Sequence, residues 1–211
     1  MTVSTDLPPS RAGSLALVGG NLALDFANTE SGRGFDSHQN HLREAANVVD
    51  WLRHANACSA EEAGRLRAEV ERRPDLAAEL IDRALALRAA IHGVGAAIGR
   101  HAPPPAASLA SLSQFYAQAV GRAALACEGG RCRWRWSVGE APVEAALGPI
   151  VLAAIELFTA GDFSRIKECG GRACGWLFYD VSKNNRRRWC EMEICGNRAK
   201  QKRFAARRRG V

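Results

Sequence analysis

Apolar residues recur along most of the chain at the three- and four-residue intervals of a helix face, and the breaks between runs divide it into segments. His41 to Ala57 sets Leu42, Ala45, Ala46, Val49 and Leu52 at that spacing. Ser59 followed by Glu62 has the form of a capping box and predicts a helix start. After Pro74, the series Leu76, Leu80, Ile81, Leu87, Ile91, Val94 and Ile98 predicts a long amphipathic helix over Asp75–Arg100. The prolines at 103–105 break the chain, and another helix is predicted from Ala106 to Cys127. One more, Val143 to Thr159, buries Ile150, Val151, Ala154, Ile155 and Phe158, and Gly161 closes it.

Elsewhere the period changes. Arg131, Arg133 and Arg135 alternate with Cys132, Trp134 and Trp136, the two-residue repeat of a half-buried strand. This predicts a core face carrying Cys132 and both tryptophans. Leu15 to Glu30, interrupted by Gly19–Gly20, reads as a turn followed by a strand or a short buried helix. Trp176 to Tyr179 reads as a strand, Asp180 to Asn185 as a turn, and Asn197 to Arg209 as a helix. Residues 1–13, with Pro8 and Pro9 and no periodicity, read as a flexible tail. The fold class expected is mainly α with small β elements: a helical domain over residues 14–161, then a smaller unit over 162–211.

Composition changes this picture in two places. The net charge of +7 is unevenly spread. From Arg165 onward there are 14 Lys/Arg against 4 Asp/Glu, whereas the preceding residues are slightly acidic. Such segregation points to a polyanion partner for the carboxy-terminal part. No run reaches the roughly 20 apolar residues that cross a bilayer, and the amino terminus lacks the apolar core of a secretion signal. A cytoplasmic location without a membrane partner is therefore expected, where paired cysteines suggest metal before disulfides.

Four of the seven cysteines form a C-x4-C-x15-C-x4-C array: Cys169, Cys174, Cys190 and Cys195. Two short loops that each contribute two thiolates meet the tetrahedral demand of zinc. Gly170, Gly171, Gly175 and Gly196 surround the array and let the backbone turn around sulfur. A knuckle, a strand and turn, then a helix opened by the last ligand make a treble-clef-like finger with one Zn(2+) per chain. So polar a segment buries too little apolar surface to fold unaided, and zinc supplies about 10–16 kcal/mol in small fingers. Loss of a ligand is expected to unfold this segment and leave the amino-terminal helices intact. Cys127 and Cys132 share the same spacing, but the alternation assigns them to core packing or a tight turn.

Cys169 to Arg203 resembles the zinc finger named for its Cys-Gly-Asn-Arg signature, here Cys195-Gly196-Asn197-Arg198, supported by Phe178-Tyr179-Asp180, Ser182-Lys183-Asn184 and Arg187-Arg188-Trp189-Cys190. The segment Gly19-Gly20-Asn21-Leu22-Ala23-Leu24-Asp25-Phe26-Ala27-Asn28-Thr29 resembles the start of the ABATE domain that accompanies this finger. Glu191 departs from the pattern, where a small polar residue is more familiar. The resemblance implies a bacterial stress-induced transcription regulator with an amino-terminal sensing or ligand domain.

The residues themselves carry a parallel argument. Lys183, Arg186, Arg187 and Arg188 precede the third ligand, and Arg198, Lys200, Lys202, Arg203 and Arg207 decorate the last helix, with Ala199, Phe204 and Ala205 left for packing. They are the expected nucleic-acid contacts, DNA ahead of RNA through the resemblance. The alternative is a zinc-stabilised protein-interaction or RNA-binding module. Asn21, Asp25 and Asn28 are polar residues in an apolar context, expected either to line a pocket for a small-molecule effector or to cap and turn the chain. A homodimer is a further expectation for this domain. No nucleophile–base grouping or phosphate-binding loop is visible, so no catalytic residues and no enzyme activity are expected.

Overall fold

The computed structural model describes residues 9–208. Its helices are α1 (Leu22–Ala27), α2 (Ala45–His54), α3 (Ala60–Arg72), α4 (Pro74–Gly99), α5 (Ala106–Gly121), α6 (Pro142–Ala160) and α7 (Asn197–Arg208). Its strands form three antiparallel two-stranded sheets: β1 (Glu30–Ser31) with β2 (Gln39–Asn40), β3 (Ala124–Glu128) with β4 (Arg131–Arg135), and β5 (Ile166–Glu168) with β6 (Leu177–Tyr179). The fold is mainly α with small β elements, as the periodicity predicts.

Local signals account for the helix starts. Ser59 and Glu62 exchange both bonds of a capping box at α3. Pro74 occupies the first turn of α4, where its missing N–H costs nothing. Asn21 caps α1 by accepting from the Ala23 N–H at 2.9 Å, which resolves the ambiguous apolar run in favour of a short helix.

α4 is the axis of the fold and touches every other helix from α1 to α6. Glycine decides what lies beside its final turns. A Cβ on Gly95 would sit 2.7 Å from Leu177 Cδ1, and one on Gly99 would sit 2.9 Å from the Glu168 N. The β5–β6 hairpin therefore lies directly on α4, and Ile166 and Leu177 join the main hydrophobic core. α6 has the length and apolar composition of a membrane-crossing helix, yet its buried face, including Leu147, Ile150, Val151 and Ala154, belongs to that same core.

Four expectations are corrected. The helix from Ala106 stops at Gly121, and Ala124–Glu128 folds back as β3 across a two-residue turn, Gly129–Gly130, with φ of 59° and 76°. The alternation in β4 is real, but neither face is core: no residue of β3 or β4 is buried, and Leu125 and Trp134 are exposed. Cys127 and Cys132 lie opposite each other in its register and are joined by a disulfide. Trp136, just beyond the strand, is the tryptophan that packs, its ring against Gly148 and its Nε1 donating to the Ala119 carbonyl at 2.8 Å. Finally, residues 10–13 are tied down. Ser10 Oγ donates to the His41 carbonyl, and Ala12 is buried against α2 in a 3-10 turn. The remainder of the predicted tail, 1–8, lies outside the described residues.

Candidate metal centre and nucleic-acid interface

The carboxy-terminal unit is built around sulfur. β5 ends at Glu168 and leads into Cys169; the loop holding Cys174 returns the chain to β6. After the turn at 180–188, Cys190 precedes a π-helical turn, Met192–Gly196, in which the Cys195 and Gly196 N–H groups both donate to the Glu191 carbonyl. Cys195 is thus delivered at the entrance to α7. The four ligand atoms lie within 4.8 Å of one another. Cys174 and Cys195 Sγ are each 3.7 Å from Cys190 Sγ. Sulfurs at the corners of a tetrahedron about 2.3 Å from zinc are roughly 3.8 Å apart, so the spacing fits the ion.

The surroundings suit thiolates. The Cys190 and Gly171 N–H groups donate to Cys169 Sγ at 3.3 and 3.4 Å. A Cβ on Gly171 would meet Cys195 Sγ at 3.0 Å, so a side chain there would crowd the knuckle. Hydrogen bonds from the neighbouring thiols and these N–H groups favour the Cys169 thiolate, and the same crowding pushes Cys174 and Cys190 up. A divalent cation reverses that opposition by stabilising every anion at once. Four cysteines hold one zinc in a treble-clef-like frame.

Asp180 organises the turn that carries the basic residues. Its buried carboxylate accepts from Lys167 Nζ at 2.6 Å, the Ser182 N–H at 2.9 Å and the Arg187 N–H at 2.8 Å. Burial alone would raise this carboxyl, but these donors outweigh it and hold it well below the usual carboxylate range.

The basic residues divide. Lys183, Arg186 and Arg188 are exposed on the turn, and Arg198, Lys200, Lys202 and Arg207 are exposed on α7. Arg187 is a correction. Its guanidinium stacks 4.3 Å from the Phe178 ring and donates to the Val18, Trp189 and Cys190 carbonyls, so it braces the finger. The side chain of Arg203 lies outside the described part, as does Arg209. Arg198 and Lys202 line a groove of about 720 Å³ between α7, the knuckle and the amino-terminal segment, whereas Lys200 falls on the other side of the helix. α7 itself packs almost only on its own π-helical turn. Phe204 is 64% exposed rather than a packing residue, because among the described residues no element covers that side of the helix.

Residues 165–208 match the family described as CGNR zinc finger. Residues 20–161, well over half of the chain, match the ABATE family, described as "Putative stress-induced transcription regulator". The chain belongs to the ABATE family. No curated protein matches it.

In this ABATE protein the polar residues of the Gly19–Thr29 motif work at the junction with the CGNR finger. Asn28 is buried; its Nδ2 donates to the Leu177 carbonyl and its Oδ1 accepts from the Leu177 N–H, both at 2.8 Å. The Gly19 carbonyl accepts from the Tyr179 N–H at 2.7 Å, and Asp25 accepts from the Gly19 N–H at 2.7 Å. Asn21, Asp25 and Asn28 therefore spend their hydrogen bonds on capping, turning and docking, the plainer of the two expectations. Two anchors escaped the sequence reading. His92 on α4 faces the Gly175 carbonyl at 3.0 Å, and burial, aided by Arg33, lowers its pKa to about 4, so the neutral ring donates there. The Gly32 N–H donates to the Cys174 carbonyl at 3.0 Å, which docks the β1–β2 hairpin on the metal knuckle. Behind it, buried Arg88 pairs with Glu30 at 3.1 Å and donates to Asn40 at 2.7 Å.

Asp25 supplies a prediction. Burial, opposed by the Gly19 N–H, Arg187 and His54, pushes its carboxyl up from 3.8 to about 6. A folded pKa above the unfolded one means a contribution fully present below about pH 4 and lost as pH rises through about 6. Asp25→Asn keeps an acceptor for Gly19 and removes the charge. It should stabilise the protein by about 1–2 kcal/mol at pH 7.5, with the gain vanishing near pH 4, measured by thermal unfolding across pH.

Proposed function

We propose that the protein is a cytoplasmic, non-enzymatic transcription regulator whose CGNR finger contacts DNA and whose ABATE domain senses an effector or dimerises. The carrying observation is unneutralised charge. Among the described residues, Lys183, Arg186, Arg188, Arg198, Lys200, Lys202 and Arg207 have no carboxylate within ion-pair distance. In the helical domain Arg67, Arg72, Arg83 and Arg88 are each paired with an acid, and the cations left without one are scattered rather than gathered on one helix and turn. Cations gathered on one protruding helix and its neighbouring turn, with nothing to balance them, suit a phosphate backbone. Docking of the finger on α4 supports a regulatory reading, since a change in the helical domain reaches the DNA-binding surface through Asn28, His92 and Gly32.

Titrating the zinc-loaded protein against mixed-sequence duplexes over a range of salt tests this. Five phosphate contacts would give a log–log slope of about −4.5, and neutralising Arg198 and Lys202 together should flatten it by about 1.8. No binding to any duplex at low salt removes the reading. A protein-interaction role has one observation in its favour: Met192, Ile194 and Phe204 are exposed apolar side chains on the same finger. Co-purification of a protein partner that survives nuclease treatment would favour it.

A further inference from the structure

A cavity of about 370 Å³ lies in the helical domain, far along the chain from the metal, where the α2–α3 loop, the start of α3, β4 and α6 meet. It is of the size that holds small molecules. Leu52, Leu66, Val138 and the indoles of Trp134 and Trp136 give it an apolar, aromatic lining.

Polar side chains, Asn56, Ser59, Glu62, Arg133 and Arg135, make up much of the rest of the lining, and several of them are already committed. Glu62 is held in the capping box with Ser59. Arg135 is paired with Glu128 at 2.9 Å. Arg133, also lining the cavity, has no acid partner among the described residues, so its guanidinium is open to a ligand, while the Glu62 carboxylate keeps its own charge at the start of α3. A second loose end comes from α6. Pro149 has no N–H, which leaves the Ala145 carbonyl without its i+4 donor, and both residues border the cavity. The Cys58 thiol beside them is pushed up by burial and by Glu62, so it is a neutral wall rather than a nucleophile.

We propose that this cavity binds a small aromatic carboxylic acid, with its ring against Trp134 and Trp136 and its carboxylate on Arg133. The aromatic lining selects a flat ring, and the unpaired guanidinium selects an anion over a neutral analogue. This gives the sensing role of the ABATE domain a site and a ligand class. Because binding is read without nucleic acid, it stands or falls separately from DNA binding.

Calorimetric titration of the intact, zinc-loaded protein with indole-3-acetate and with benzoate, each beside its neutral counterpart (indole, benzamide), tests the proposal. Saturable binding of at least one acid is expected, with the neutral partner about tenfold weaker or worse. Arg133→Gln should weaken the acid by about tenfold, whereas Arg131→Gln, on the same strand outside the cavity, should leave it unchanged. Amide shifts confined to the α2–α3 loop, β4 and α6 would place the ligand. Absence of saturable binding by both acids, equal affinity for the neutral compounds, or wild-type affinity in Arg133→Gln would each overturn it.

Discussion

Cys190→Ser is expected to strip the protein of its zinc and to lower the melting temperature of the whole chain, the helical domain included. Cys190 lies 3.7 Å, sulfur to sulfur, from both Cys174 and Cys195, so its loss opens the tetrahedron. The zinc contribution of about 10–16 kcal/mol in small fingers exceeds the total stability of most domains. The sequence alone suggests that only the tail would unfold. The structure argues otherwise, because Ile166 and Leu177 lie in the main core and the β5–β6 hairpin rests on Gly95 and Gly99 of α4. Removing the hairpin uncovers that helix face. Elemental analysis together with thermal unfolding, followed by both circular dichroism and tryptophan fluorescence, provides the check. Retention of one zinc per chain, or a helical transition at its wild-type temperature, would count against the shared core.

Asn28→Ala should cost about 2–5 kcal/mol without touching the metal ligands. The amide makes two 2.8 Å bonds to the backbone of Leu177, a buried residue, and alanine leaves that N–H and carbonyl unpaired where water does not reach. Asn28→Asp keeps the acceptor but loses the donor and buries a charge, so it should not rescue. Urea titration with an unchanged m-value would show the loss as a lower midpoint, and faster amide exchange at Leu177 would localise it. A midpoint equal to that of the wild type would show that the docking bonds are dispensable. Zinc content should stay at one per chain throughout, which separates this variant from Cys190→Ser.

Much of this molecule is written in local spacing. The capping box at Ser59, the apolar rows of α4 and α6, and the cysteine array are short-range patterns, and the structure realises each of them. The metal ligands were legible because thiolates in two short loops have few other uses in so basic a segment. The β3 strand was not legible, since five residues of mixed composition after a helix look like its continuation until a partner strand is known. Arg187 could not be told from Arg186 or Arg188 for a similar reason: three adjacent arginines differ only in which one meets Phe178 and the Val18 carbonyl.

By itself, then, the sequence determined most of the long helices, the four ligands and the imbalance of charge, because each arises from residues close together along the chain. Tertiary structure alone decided what Asn28 and His92 do, since their partners, Leu177 and Gly175, lie 149 and 83 residues away. It also decided that the finger is docked on the helical domain rather than hung from it. Glycine at 95 and 99 permits an approach that shows only when the second surface is in place.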